Sequence, residues 1–261
     1  MSTLAHAASD CATMVRRNVR HALRYPGMII MSGVVPVLLL LLFVGVFGGA
    51  LRTGIGSGSH GAYVNYVVPG ILLMTVGYGS SMTAMAINRD TSHGIIARFR
   101  TMAISRASIL TGHVVVAMIR TMVSVVLVLT AALLLGFQPT TDPGRWIAGF
   151  GLIALIALAL TWLAIPIGLA AKTAEGIGPF TLIIQILPFI SSAFVPANSM
   201  SGPVRWFAQH EPFTPIIDAV RGLLMGTPIG NTATTAAAWC AGLALTGYVW
   251  ARILFSRDPQ P

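Results

Sequence analysis

Four arginines, Arg89, Arg98, Arg100 and Arg106, fall within residues 88–112, the only long polar and charged insert between apolar runs. Guanidinium groups pair in fixed geometry with carboxylates and phosphates, so their crowding points to a charged contact surface. At about 100° per residue, Ile95, Ile96, Phe99, Met102 and Ala103 share one arc of a short helix, with Arg98 and Arg100 at its edges. Asp90, Thr91 and Ser92 offer N-cap chemistry just ahead of that arc, which gives a helix over 91–105. A helix apolar on one side and basic at its rim suits docking onto another protein.

A second basic cluster lies in residues 10–25. Arg16, Arg17, Arg20 and Arg24 occupy one arc, and Ala12, Val15, Val19, Ala22 and Leu23 the arc beside it. This is the pattern of a helix lying in a headgroup layer, the alternative being a solvated basic tail.

Catalytic chemistry finds no footing. The glycine-rich run at 54–61 lacks the Lys-Ser/Thr of a phosphate-binding loop, and the one lysine, Lys172, follows Ala171. The serines lack a nucleophile-elbow setting, and no HExxH appears. Cys11 and Cys240 are far apart, one in a polar and one in an apolar stretch, and imply neither disulfide nor metal site. No cofactor is expected on this chain.

Charge-free windows at 25–51, 53–88, 121–141, 146–171, 176–204 and 222–251 each accommodate a membrane-crossing helix. With 55% hydrophobic and 9% charged residues and a mean hydropathy of +0.81, the chain reads as an all-α, polytopic membrane protein. Six transmembrane helices are expected at about 28–47, 63–87, 109–136, 146–170, 177–197 and 233–255. The net charge of +9 does not indicate nucleic acid, because the arginines lie between apolar runs. Counted by segment, eleven cations fall on the side of the N-terminus and four opposite, which places both termini and the 91–105 helix in the cytoplasm.

Two features complicate this plan. Residues 198–232 are too apolar for an open loop, with Trp206, Phe207, Ile216, Ile217, Val220, Leu223 and Leu224. They read as two re-entrant helices dipping into the outer leaflet, the alternative being a helix lying flat outside. Thr214 before Pro215 is the expected N-cap, and Asp218 and Arg221 are spaced to pair. Arg120 lies inside the third span, with snorkelling to the inner interface as the first expectation and a polar partner as the second. His113 is expected at that inner boundary. The seven acids (Asp10, Asp90, Asp142, Glu175, Glu211, Asp218 and Asp258) avoid the middle of every expected span, which argues against proton-coupled transport.

The segment from Asp90 through Gly94, Ile95, Ile96, Arg98, Phe99 and Arg100 to Arg106 resembles the cytoplasmic-loop signature of type-2 ABC exporter permeases, the daunorubicin-resistance group in particular. So does the run Phe194-Val195-Pro196, Met200, Pro203 to Ala208, Pro212 to Pro215 and Arg221 to Leu224. The chain departs from the family pattern at Ala97, Ala103, Ser201 and Glu211. The resemblance implies a permease subunit in the cell membrane, paired with a second copy or paralogue and with separate ABC ATP-binding subunits that hold ATP-Mg. Gly94 to Arg106 would then be the coupling helix, and the region holding Trp206, Phe207, Glu211, Asp218 and Arg221 the outer cap. The expected cargo is a hydrophobic or amphipathic molecule (a drug, a lipid or a lipid-linked glycan), and the resemblance favours hydrophobic small molecules, as in multidrug and antibiotic resistance. The alternatives are a membrane assembly or anchoring protein without transport and an ion-coupled secondary transporter.

Overall fold

A computed structural model describes residues 26–48, 60–94 and 106–256. Among these residues the chain is helical and contains no strand. α1 (Pro26–Leu42) continues into a π-helical turn (Phe43–Phe47), and α2 spans His60–Ser92. α3 (Arg106–Leu134) and α4 (Pro143–Ala170) follow, then α5 (Gly178–Ile190). Two short helices, α6 (Gly202–His210) and α7 (Phe213–Met225), precede α8 (Thr232–Ser256).

Four of these helices, α2, α3, α4 and α8, are long and apolar enough to cross a membrane. α1 and α5 contribute shorter apolar stretches, Gly33–Val46 and Ala174–Ile190. Pro36, Pro69, Pro166 and Pro188 all sit inside helices. Each removes a backbone donor, which a membrane bundle tolerates when neighbours satisfy the freed carbonyl.

α2 is the centre of the bundle and packs against α1, α3, α4, α5 and α7. Its buried face, including Val64, Val67, Val68, Ile71 and Leu72, meets Ile153, Ile156 and Leu160 of α4 and Ile216, Ile217 and Val220 of α7. Lipid tails are as apolar as these side chains, so close approach rather than water exclusion holds such helices together. Glycine supplies that approach at the α2–α4 seam, where Gly168 lies directly against the Ala84 carbonyl.

The helix ends differ from expectation in three places. α2 continues through Ser92, so Thr91 and Ser92 close that helix rather than open the next one. The Thr91 hydroxyl donates back to the Ile87 carbonyl, and Gly94, at φ +67°, takes the left-handed turn that follows. α5 stops at Ile190 instead of 197: the Ser191 hydroxyl bonds the Pro188 carbonyl and the chain turns. α7 starts at Phe213, ahead of the expected Thr214 cap.

The two short helices also behave differently from one another. α7 buries Phe213, Ile216, Ile217, Ala219, Val220, Leu223 and Leu224, so it is a core element and does not lie flat outside the bundle. α6 buries only Ala208 and leaves Trp206 and Phe207 exposed, with the Trp206 ring stacked on His210 at 4.7 Å.

Candidate functional site

The chemistry-bearing residues divide among three levels along α2. At the level of its last turns, Asp90 Oδ2 lies 3.4 Å from His113 Nε2 of α3. Asn88, buried, donates from Nδ2 to the Ala171 carbonyl at 2.5 Å, satisfying an acceptor at the end of α4. These contacts join α2, α3 and α4 next to the basic insert. The residues expected to dock there, Ile95, Ile96, Arg98, Phe99 and Arg100, lie outside the described residues, as do Arg16, Arg17, Arg20 and Arg24. The backbone of Gly94 ends the described part of α2's turn, and that of Arg106 begins α3.

At the middle level, Arg120 does not reach for the inner interface. It lies ten residues into the apolar window Leu110–Leu134, about 15 Å along the helix axis. Its Nη2 donates to the Gly79 carbonyl at 2.9 Å and to Thr83 Oγ1 at 3.0 Å, both on α2. Gly79 admits this because it has no side chain; a Cβ there would overlap the Thr121 hydroxyl oxygen of α3. Arg120 Nε is fully enclosed and has no hydrogen-bond partner, and no carboxylate among the described residues pairs with the guanidinium.

At the third level, α2, α5 and α7 converge. Since α5 ends at Ile190, no following helical turn occupies the Ser192 carbonyl. That oxygen instead accepts from the Tyr66 hydroxyl at 3.0 Å and from Arg221 Nη2 at 2.7 Å. Arg221 Nη1 pairs with Asp218 Oδ1 at 2.6 Å, the i,i+3 contact that their spacing allows. The Ser192 hydroxyl donates to the same carboxylate oxygen at 2.8 Å. The Arg221 guanidinium also stands 4.0 Å above the Tyr66 ring, a cation–π contact.

Glu211 performs the capping expected of Thr214. Its Oε2 accepts from the Phe213 N–H at 2.7 Å and its Oε1 from the Thr214 N–H at 2.5 Å, which satisfies two free donors of the first turn of α7. Thr214 Oγ1 is thereby left to accept from the Ser192 N–H at 3.1 Å. Burial raises the Glu211 carboxyl above its ordinary value, and the two N–H groups oppose that by favouring the charged form.

The folded value of this group therefore lies above the unfolded one. Its contribution to stability is fully present below the unfolded carboxylate pKa and is lost as pH rises through the raised folded value. Glu211→Gln is expected to flatten that dependence, and Glu211→Ala to cost about 1 kcal/mol through loss of the cap. Thermal midpoints of detergent-purified protein from about pH 4 to about pH 8 read both effects, and an unchanged slope in Glu211→Gln would refute the assignment.

Sequence reasoning singled out Glu211, Asp218, Arg221 and Arg120, and Gly79 among the small residues of the second span that let helices approach closely, but missed Tyr66, Ser192 and Thr83. The serine pair after Pro188 was a signal for an early end of α5. Nothing local to Tyr66 points to a partner 155 residues away.

Comparison with known proteins supplies the family. Residues 9–225 match the model of the ABC-2 type transporter family. The chain is 27% identical over 190 residues to the "Probable doxorubicin resistance ABC transporter permease protein DrrC" of Mycobacterium tuberculosis, covering 72% of this chain and 68% of that protein. It is 26% identical over 244 residues to the "Daunorubicin resistance ABC transporter permease protein DrrB1" of Streptomyces coeruleorubidus, covering 92% and 81%. It is 24% identical over 220 residues to the "Putative transport permease ycf38" of Pyropia yezoensis, covering 82% and 73%. With its matched region running from the basic N-terminal segment to the end of α7, this multi-pass membrane chain belongs to the ABC-2 type transporter family.

Proposed function

We propose that the chain is the permease subunit of an ATP-driven exporter that moves a hydrophobic or amphipathic molecule (a drug, a lipid or a lipid-linked glycan) outward across the cytoplasmic membrane. Separate ATP-binding subunits dock on the 91–105 region, a second permease copy or paralogue completes the pathway, and six spans leave both termini in the cytoplasm. The observation that carries this reading is the place of the basic insert. It follows directly on α2, the most buried of the four membrane-length helices, so force applied there enters the centre of the bundle. The names of the doxorubicin- and daunorubicin-resistance relatives support an amphipathic cargo.

The decisive experiment coexpresses the chain with an ATP-binding subunit. The expected result is stable copurification and ATP-dependent uptake into inverted vesicles. Arg98→Glu with Arg100→Glu is expected to reduce both association and uptake by about tenfold or more, as reversed interfacial charges do. Transport that survives ATP depletion but collapses with a proton ionophore would overturn the reading.

A further inference from the structure

The third level of contacts on α2 is a joint rather than a general support. Three chain segments distant in sequence meet on one carbonyl oxygen, that of Ser192, through the Tyr66 hydroxyl and Arg221 Nη2. Arg221 also reaches the Tyr66 carbonyl from Nη2 at 3.3 Å and from Nε at 3.4 Å, both long bonds. A single guanidinium thus ties α7 to the start of α2 and to the end of α5.

The apolar seam beside this joint is imperfectly filled. A cavity of about 10 Å³ lies between α2, α4 and α7, lined by Pro69, Leu72, Val76, Ile153, Ile216 and Val220 among others. It is apolar and offers a water no polar partner, so its walls forgo dispersion contacts. Polar bonds at the level of Tyr66 and apolar packing of Ile216, Ile217 and Val220 together attach α7 to α2. The bonds are few, and Asp218 is partly open to solvent, so water can replace them when they part.

α2 is one continuous helix from His60 to Ser92, about 50 Å long. One end meets the basic insert and the other carries Tyr66. We propose that Arg221, with Tyr66 and Ser192, is a latch that holds α7 and the end of α5 against α2, and that the outer path opens when movement of α2 parts these bonds. This inference rests on the exporter reading for the source of the movement. The existence of the latch can be tested without it.

The test uses the full chain in membrane vesicles, with Cys11→Ser to remove one thiol and Ser191→Cys to supply a reporter. Ser191 is fully buried next to the joint; its hydroxyl bonds the Pro188 carbonyl and the Ala193 N–H and touches neither Arg221 nor Tyr66, and a cysteine there keeps a side chain of similar size. The native Cys240 of α8, also fully buried, reports on the rest of the bundle. A membrane-impermeant maleimide is applied from the outer side. Without nucleotide, the reporter thiol at position 191 is expected to be protected in the parent and labelled about tenfold faster in Arg221→Met, the factor that loss of a charged buried hydrogen bond gives. Tyr66→Phe, which keeps the ring and loses one bond, is expected to give about threefold, and Arg221→Lys to recover part of the protection. Cys240 stays protected throughout.

Equal labelling of the reporter in parent, Arg221→Met and Tyr66→Phe overturns the latch. Parallel labelling of the reporter and Cys240 also overturns it, because the cluster would then support the whole bundle. With the ATP-binding subunit and ATP present, the reporter in the parent is expected to be labelled during turnover. If the variants open the site and ATP does not, the latch stands and the exporter reading fails.

Discussion

Gly168→Leu is expected to abolish recovery of folded protein, and even Gly168→Ala to lower its thermal midpoint. A Cβ at this position would lie 2.5 Å from the Ala84 carbonyl oxygen and 2.9 Å from Ile87 Cβ. The first is backbone of a buried helix and cannot rotate away, so α4 must back off from α2 along the seam. Overpacking of this kind costs about 1–3 kcal/mol for one added carbon and more for a branched side chain, against a total stability of about 5–15 kcal/mol. The wedge also strains a polar contact. Asn88 bonds the Ala171 carbonyl three residues further on, and leaving a buried amide unpaired adds about 1–3 kcal/mol. Gly151 on the same helix is the control, since an added Cβ there meets nothing within 4 Å. Gly151→Ala is expected to shift stability by no more than about 0.5 kcal/mol. Monodisperse yield and thermal midpoint in detergent distinguish the pair, and equal midpoints for the two alanine variants would refute the account.

Helix content was legible in the sequence because its cause is local: each charge-free run long enough to cross a bilayer holds a helix, although α5 fills only 178–190 of the run 176–204. Their ends were less legible. The apolar window before α3 stops at Asn88, yet α2 continues through Ser92, because Asn88 and Asp90 find partners on α4 and α3 and need not leave the helix to reach water. Thr214 before Pro215 has the better capping signature, but Glu211 reaches two free N–H groups where a threonine reaches one, and the helix starts earlier. The Asp218–Arg221 pair was legible from its spacing, since both lie on one helical face. The attachment of Arg221 to Tyr66 and Ser192 was not, because it depends on how α2, α5 and α7 are placed in space. Arg120 shows the same limit. Its presence inside a span was plain, but its direction depends on Gly79 and Thr83 of a neighbouring helix.

Arg120→Met is expected to leave the stability of the bundle within about 1 kcal/mol of the parent, whereas Arg120→Glu costs more than about 3 kcal/mol. The asymmetry follows from what each residue leaves behind. The guanidinium sits well inside an apolar helix with its Nε enclosed and unpaired, a cost that its two bonds to α2 offset only in part. Methionine removes that cost, fills similar volume and orphans nothing, because the Thr83 hydroxyl still donates to the Gly79 carbonyl at 2.9 Å. Glutamate sets a carboxylate against that carbonyl and against a hydroxyl already committed as its donor, so the charge meets acceptors where it needs donors. Thermal midpoints of the two variants check the order, and a methionine variant as unstable as the glutamate one would show that the fold depends on the positive charge. Transport separates the remaining alternatives. A charge at this depth that contributes nothing to stability is retained for what the helices do as they move. A stable Arg120→Met protein whose transport falls by about tenfold, or about 1.4 kcal/mol in barrier terms, assigns the charge to the transport cycle. Unchanged transport makes Arg120 a charge that the α2–α3 seam tolerates and does not use.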